Sequence, residues 1–221
     1  MKLVTIIIRT HNQEGLVSKA IKSVLNQTLS RDKFDILVVN DSSTDNTSKI
    51  LERHKKDIIV MNVNNKNYVK TLNDGIRNTK TDFLILLDGD DTFEPSILEK
   101  MFNVIENDEN VSFVYSDYYE TDEKGNKKIV NTDNILNCLA GGIMFKKQIF
   151  DDLGYYDENL VFPEYDLLIK LKQKYKGRRI HEPLFNYFRH SKSITADKDL
   201  VERGKKQLFK KYGEIKELRD Y

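Results

Sequence analysis

The chain has 221 residues, 39% apolar and 32% charged, which suits one compact domain with at most a small appendage. Lys and Arg number 36 against 35 Asp and Glu, a formal charge of +1 that gives no reason to expect nucleic acid as a partner. The lone cysteine, Cys138, excludes an internal disulfide, and no Cys/His cluster has zinc spacing; this fits a reducing, cytoplasmic setting. The apolar start of the chain meets Arg9 and His11 at once, and no run approaches the length of a signal peptide or transmembrane segment.

In chain order, residues 3–8 read as a first buried strand, followed by the polar loop Arg9-Thr10-His11-Asn12-Gln13-Glu14. A helix follows, with Leu16, Val17, Ala20, Ile21, Val24 and Leu25 on one face. Residues 35–39 form a second strand and end in Asn40-Asp41-Ser42-Ser43-Thr44-Asp45-Asn46-Thr47, where nearly every side chain can cap a helix or bond a turn. A helix over 47–55, a strand over 58–63 and a helix over 68–78 come next. The run Phe83-Leu84-Ile85-Leu86-Leu87 is uncharged and lacks alternation, so it reads as a strand buried on both faces. It empties into Asp88-Gly89-Asp90-Asp91.

Three carboxylates then sit at the carboxyl end of a central strand, where open α/β sheets bind ligands. Close carboxylates repel unless a cation joins them, and oxygen donors suit Mg²⁺ or Mn²⁺. The plainer alternative is a solvated acidic turn whose Asp residues cap the next helix.

The second half is less regular. A helix is expected over 96–107, a strand over 111–116, a hairpin over 119–130 turning at Lys124-Gly125-Asn126, and a strand over 141–145. A short helix over 147–153 should stop at Gly154, and a helix over 164–175 precedes a short strand over 184–189. The alternating elements predict an α/β fold, a single Rossmann-like domain over 1–221 with a mainly parallel central sheet flanked by helices. Residues 1–116 would carry the nucleotide chemistry, 117–197 would shape the other side of the cleft, and 198–221 would form a charged helical tail.

The first loop has no glycine before Gly15 and the chain has no phosphate-binding Gly-x-x-x-x-Gly-Lys motif. A dehydrogenase is therefore disfavoured, and carboxylates holding a metal that holds a diphosphate is the natural route to phosphate. Asp41, alone at the end of the second strand, can accept from a ring N–H of a base. Its other reading, as a helix cap, competes with better placed Ser43, Thr44 and Asp45.

VTIIIRTHNQE (4–14), VVNDSSTDNT (38–47), LNDG (72–75), LLDGDD (86–91), GYYDE (154–158) and EYDLLIKL (164–171) resemble, in that order, inverting family 2 glycosyltransferases of the GT-A fold, over roughly residues 3–195. The resemblance implies transfer of a sugar from a nucleoside-diphosphate donor, UDP favoured, to a glycan or lipid-linked acceptor, with Mn²⁺ or Mg²⁺, in surface or extracellular polysaccharide synthesis. It places Thr10, Asn12 and Glu14 beside the nucleoside, Asp41 on the base N–H, and Lys70 and Asn73 near the ribose and phosphates. Asp88 would approach the ribose or sugar and join the metal site, with Asp90 as main ligand and Asp91 behind it. Arg189 and His190, in Phe188-Arg189-His190-Ser191-Lys192-Ser193, would close over the diphosphate, and His190 would reach the metal.

An inverting transferase needs a carboxylate to take the acceptor's proton. The family pattern has Glu-Asp where this chain has Pro163-Glu164. Either Glu164 serves as a longer base, or Asp166 does, or activity is impaired. A non-catalytic nucleotide-sugar-binding module and a sugar nucleotidyltransferase are the rival readings, the latter weakened by the missing Gly-rich basic loop. Arg178 and Arg179 read as surface charges, and Cys138 as a small buried residue. The Lys205-Lys206 to Lys210-Lys211 stretch could touch an anionic membrane face, although interleaved acids favour a solvated helix.

Overall fold

The computed structural model describes residues 2–191 and 193–215. Lys192 of the late loop and residues 216–221 of the charged tail lie outside the described residues. The first half follows the expected alternation: β1 (Val4–Thr10), α1 (Val17–Leu25), β2 (Phe34–Asp41), α2 (Thr47–Arg53), β3 (Ile59–Val63), α3 (Tyr68–Asn78) and β4 (Phe83–Asp88). Strands β3, β2, β1 and β4 are adjacent and parallel, with Arg9 level with Val39 on one side and Asp88 on the other. The carboxyl ends of β1, β2 and β4 thus share one edge.

Alternate residues of these strands feed two cores. Ile6, Ile8, Val38, Ile85 and Leu87 pack on one face with Ala20, Ile21 and Leu51 of α1 and α2. Ile7, Val39, Leu84 and Leu86 pack on the other with Val69, Leu72 and Ile76 of α3. Burial on both faces explains why the strand sequences carry no polar alternation. Helix α3 lies so close to β1 that a Cβ on Gly75 would meet Ile7 Cγ2 at 2.6 Å, and only glycine admits that approach.

The second half adds β5 (Thr92–Phe93), α4 (Ile97–Asn107), β6 (Val111–Asp122), β7 (Lys127–Val130), β8 (Ile143–Lys146), α5 (Gln148–Leu153), α6 (Pro163–Lys174), β9 (Lys176–Arg189) and α7 (Lys198–Tyr212). Among the described residues nine strands make one sheet of order β3-β2-β1-β4-β8-β6-β9-β5, with β7 paired to β6. Strand β8 runs antiparallel to both β4 and β6, while β6 and β9 are parallel. The sheet is therefore mainly parallel in its first half and mixed in its second.

Three local expectations change. The strand expected over 184–189 extends back to Lys176, because β6 offers a full-length partner to a polar segment with no alternation to betray it. Gly141 and Gly142 belong to a 3-10 turn, and the strand begins at Ile143. Arg179 is not a surface charge: its Nε donates to Asp117 Oδ1 at 2.9 Å and its Nη2 to Oδ2 at 3.0 Å, and Asp117 is buried. Cys138 is buried as expected, and burial pushes its thiol up. No helix among the described residues is long and apolar enough to cross a membrane.

Candidate active site

The carboxyl edge of the parallel strands opens into a cleft of about 1070 Å³. The loops after β1 and β2 are tied across its rim. Asn12 N donates to Ser43 Oγ at 3.0 Å, Thr44 N to Asn12 Oδ1 at 2.7 Å, and Asn46 N to Glu14 Oε2 at 2.8 Å. The polar side chains of both loops are thus spent on each other, which fixes loops that carry no hydrophobic anchor.

The floor is the acidic loop after β4. Asp88, Asp90 and Asp91 each bring a carboxylate oxygen within 4.8 Å of the others. Gly89 lets the backbone pass beneath the first loop; a Cβ there would sit 2.3 Å from Gln13 Oε1 and 3.1 Å from Thr10 Oγ1. Both of those oxygens are buried without a hydrogen-bond partner. Asp91 is buried and accepts from Phe188 N at 2.8 Å. Burial, and then the charges of Asp90 and Asp88, raise its carboxyl well above the ordinary range. Burial also raises Asp88; Arg9 opposes that and Asp90 adds to it. His190, at the end of β9, places Nε2 2.9 Å from Asp90 Oδ2.

Carboxylates held above their ordinary pKa by burial, with one another's charge adding to it, mark a site short of positive charge. Three carboxylates and one imidazole fit a divalent cation that accepts oxygen and nitrogen, and Mn²⁺ tolerates that mixture well. The residues present therefore match a metal.

Glu164 stands on a different element, the first turn of α6 behind Pro163 at N1. It lines the same cleft. Burial and the Asp88 charge push its carboxyl up to about 7; its own N–H and Arg9 pull the other way. Tyr68 and Tyr156 also line the cleft, and burial raises both phenols, with the Glu164 charge adding.

The structure brings Asn12, Glu14, Asp88, Asp90, Glu164 and His190 to one cleft. Thr10 lies just beneath its floor. Five other candidates, Asp41 among them, are not among the lining residues, each for a visible reason. Asp166 is buried, held by Lys170 and Lys211 at 2.6 Å each and by the Tyr212 hydroxyl; two residues along a helix from Glu164, it must face elsewhere. Lys70 takes the exposed position of α3 while Val69, Thr71, Leu72 and Asn73 turn inward. Asn73 is buried in a two-way bond with Tyr156, donating to its O at 2.9 Å and accepting from its N at 3.0 Å. Arg189 alternates with the cleft-lining Phe188 and His190 on β9, so it turns out to Glu120, 3.6 Å away.

Asp41 is buried at the end of β2 and is fully engaged. Its Oδ1 accepts from Asn65 N at 2.9 Å and Lys66 N at 3.1 Å, and its Oδ2 from Thr71 Oγ1 at 2.8 Å. Burial acts to raise its carboxyl, but these donors and Ser42 outweigh it and leave the pKa low. It is not a helix cap: Thr47 N donates to Asp45.

One residue of consequence was not flagged from sequence. Arg9 is level with Asp88 across β1 and β4, and its Nε donates to Asp88 Oδ1 at 2.8 Å. A charged residue ending a buried strand, directly before a polar loop, is the signal that marks it.

The sequence matches the glycosyl transferase family 2 over residues 5–157, from β1 past the acidic loop to just short of Pro163. It is 27% identical over 213 residues to an uncharacterized glycosyltransferase of Haemophilus influenzae, covering 89% of this chain and 72% of that one. It is 27% identical over 181 residues to the minor teichoic acid biosynthesis protein GgaA of Bacillus subtilis, covering 72% of this chain and 41% of GgaA. In fold it is similar to S. aureus TarS 1–349 in complex with UDP, with a TM-score of 0.73 at 17% identity over 95% of this chain and 66% of that 1–349 chain. The mannosyltransferase PcManGT from Pyrobaculum calidifontis, in complex with GDP-Man and Mn²⁺, gives 0.73 at 16% over 94% and 64%. The chain spans about two thirds of those two solved chains and less than half of GgaA. The match runs through the strands whose ends build the cleft, and the chain belongs to glycosyl transferase family 2 and is a glycosyltransferase.

Proposed function

We propose that the protein transfers a sugar from a nucleoside diphosphate, UDP favoured, to an acceptor hydroxyl with inversion, with Glu164 as the general base. One observation carries this reading: a carboxyl poised at about 7 on α6, in the same cleft as the acidic loop after β4. A base is most effective when its pKa lies near the working pH.

The acceptor oxygen attacks the anomeric carbon as its proton passes to Glu164. The bond from that carbon to the diphosphate breaks, and its electron pair leaves with the diphosphate. Asp90, with Asp88 and His190, would hold a divalent cation, which when bound supplies the positive charge that a leaving diphosphate needs, and Asp91 would stand behind them. Asn12 and Glu14, immobilised by the second loop, border the nucleoside. Tyr68, Tyr156 and Phe162 wall the Glu164 side and keep water from its carboxyl. UDP is favoured because TarS was solved with it, and a role in polysaccharide synthesis because GgaA and a poly-beta-1,6-N-acetyl-D-glucosamine synthase are relatives. On this reading residues 1–116 supply the donor side and 117–197 close the acceptor side.

The test is donor hydrolysis against UDP-, dTDP- and GDP-sugars, with Mn²⁺, with Mg²⁺ and with EDTA. Consumption of one donor, dependent on metal and abolished in Glu164→Gln, is the expected result. Full turnover by Glu164→Gln removes the assigned base.

A further inference from the structure

We propose that α7 is a positioning element for Glu164: it seats the chain just before that residue through Gly204 and Gln207, and the chain just after it through Lys211 and Tyr212, so that the carboxyl is held toward the cleft. The inference rests on the reading of Glu164 as the base. The residues matched to the family end at 157, so Glu164 and α7 both lie beyond them.

The helix carries charge along most of its length, yet one stripe of it is committed to α6. Val201, Gly204, Gln207, Leu208, Lys211 and Tyr212 recur at helical spacing and share a face. Val201 and Leu208 are buried in the same core cluster as Val161, Phe162 and Tyr165. Between them, Gly204 brings the helix backbone onto Phe162: a Cβ there would meet Phe162 Cδ2 at 2.3 Å and Val161 Cβ at 3.2 Å. Gln207 holds the incoming chain twice, accepting from Val161 N at 2.8 Å and donating to Asn159 O at 2.9 Å. One turn further, Lys211 Nζ lies 3.3 Å from Asp157 and 2.6 Å from Asp166. The Tyr212 hydroxyl donates to Asp166 Oδ1.

These contacts bracket one residue. Phe162 and Asp166 stand on either side of Glu164 in the chain, and α7 holds both. Phe162 lines the cleft beside Glu164, so the Gly204 contact bears directly on the wall of the site. Asp166 is buried, and an ion pair made there does not come apart cheaply. The other end of α7 starts from the same cleft. Ser193, Ile194 and Thr195 line it, and Asp197 then caps the helix by accepting from Leu200 N at 3.0 Å. A single helix therefore runs from the rim beyond His190 to the back of the base. A base acts only within hydrogen-bond reach of the proton it takes, and a misplacement of about 1 Å can cost about 100-fold. A carboxyl on the first turn of a helix has no later turn to hold it, and α7 supplies that support from outside.

The experiment measures donor turnover over the UDP-, dTDP- and GDP-sugar panel with Mn²⁺, beside calorimetric binding of the nucleoside diphosphate of the donor consumed. The variants are Gly204→Ala, which presses on Phe162, Gln207→Leu, which releases Asn159 and Val161, and Gln207→Glu. Gly204→Ala and Gln207→Leu, folded by circular dichroism, should each lower kcat about 10- to 100-fold while diphosphate affinity changes less than about twofold. Gln207→Glu keeps the acceptor for Val161 N and should recover part of the loss. Phe102→Ala, in the core on the other face of the sheet, controls for stability: its urea midpoint should fall at least as far, with kcat within about twofold of wild type. Should Gly204→Ala fail to fold, the two Gln207 variants carry the test. The inference is overturned if the folded α7 variants turn over like wild type while Glu164→Gln does not. It is equally overturned if Phe102→Ala loses as much kcat as they do, or if diphosphate binding weakens as much as kcat falls. Turnover undiminished by Glu164→Gln, or no turnover of any donor by the wild type, removes the base itself and this inference with it.

Discussion

Replacing Glu164 by Gln should make the protein more stable at alkaline pH while removing transfer. The carboxyl has an ordinary pKa of 4.5 and is pushed up to about 7 in the fold, first by burial and then by Asp88. The sign follows from which state holds the proton. Below pH 4.5 both states are protonated and the site costs nothing. Between 4.5 and 7 the unfolded chain releases its proton while the folded chain keeps it, so stability falls as pH rises. Above 7 the full cost of an ionised, desolvated carboxylate remains. One pKa unit corresponds to about 1.4 kcal/mol, so the cost grows from about 1 kcal/mol at pH 5 to about 3 kcal/mol at pH 8. These are ceilings, since cleft water screens part of the charge. Gln has the same shape and no charge. Urea unfolding of wild type and Glu164→Gln in EDTA, at pH 5 and pH 8, isolates the term, because Asp88 and Asp91 titrate in both proteins. The variant should gain about 2 kcal/mol relative to wild type between the two pH values. An equal difference at both pH values, or a variant less stable at pH 8, would refute the argument that Glu164 is held against its own ionisation.

Transfer by the wild type should rise through about pH 7 as Glu164 loses its proton, and a kcat/KM profile that stays flat from pH 5.5 to 8.5 contradicts its role as base. Asp90→Ala should abolish metal-dependent donor turnover with little loss of stability; undiminished turnover in EDTA-treated wild type would count equally against the metal. Asp41→Ala should cost about 2–4 kcal/mol by urea unfolding, because it strands the Asn65 and Lys66 N–H groups and the Thr71 hydroxyl. The low Asp41 pKa also means that this part of wild-type stability is present above the ordinary carboxylate range and lost as pH falls through the folded value, so wild type and variant should converge in acid. Asn73→Leu should cost about 2–3 kcal/mol for the two backbone groups of Tyr156 that it orphans, while donor affinity at saturating metal changes less than stability does.

The first half of the fold was legible because β1, β2 and β4 are buried on both faces, which leaves uninterrupted apolar runs ended by polar loops. Val4 to Ile8 and Phe83 to Leu87 need no structure to be read. Strand β9 was not legible along its length, since Lys176 to Glu182 has no alternation and a single apolar side chain, Ile180, and is a strand only because β6 lies beside it. The acidic loop was readable from position and type, and Glu164 was singled out through the family resemblance. Lys70, Arg189 and Asp166 show the limit of a motif: each lies within two residues of a cleft residue in sequence, and helix or strand periodicity turns each away from it. Arg9 and the Asp117–Arg179 pair escaped notice for a related reason. Their meaning lies in a partner 79 or 62 residues distant, which one-dimensional spacing does not reveal.

The Asn73–Tyr156 bond has a consequence for recombining this protein with its relatives. It joins α3, which packs on the donor-side sheet, to the segment that leads within eight residues to Glu164. Segments exchanged downstream of Tyr156 would inherit a fixed starting point, and chimeras joined there should keep the base in register with the acidic loop. Chimeras joined upstream, between Asn78 and Tyr155, would have to reproduce that bond with a foreign backbone. Asn73 thus marks a natural seam, where acceptor preference can be traded without rebuilding the donor side.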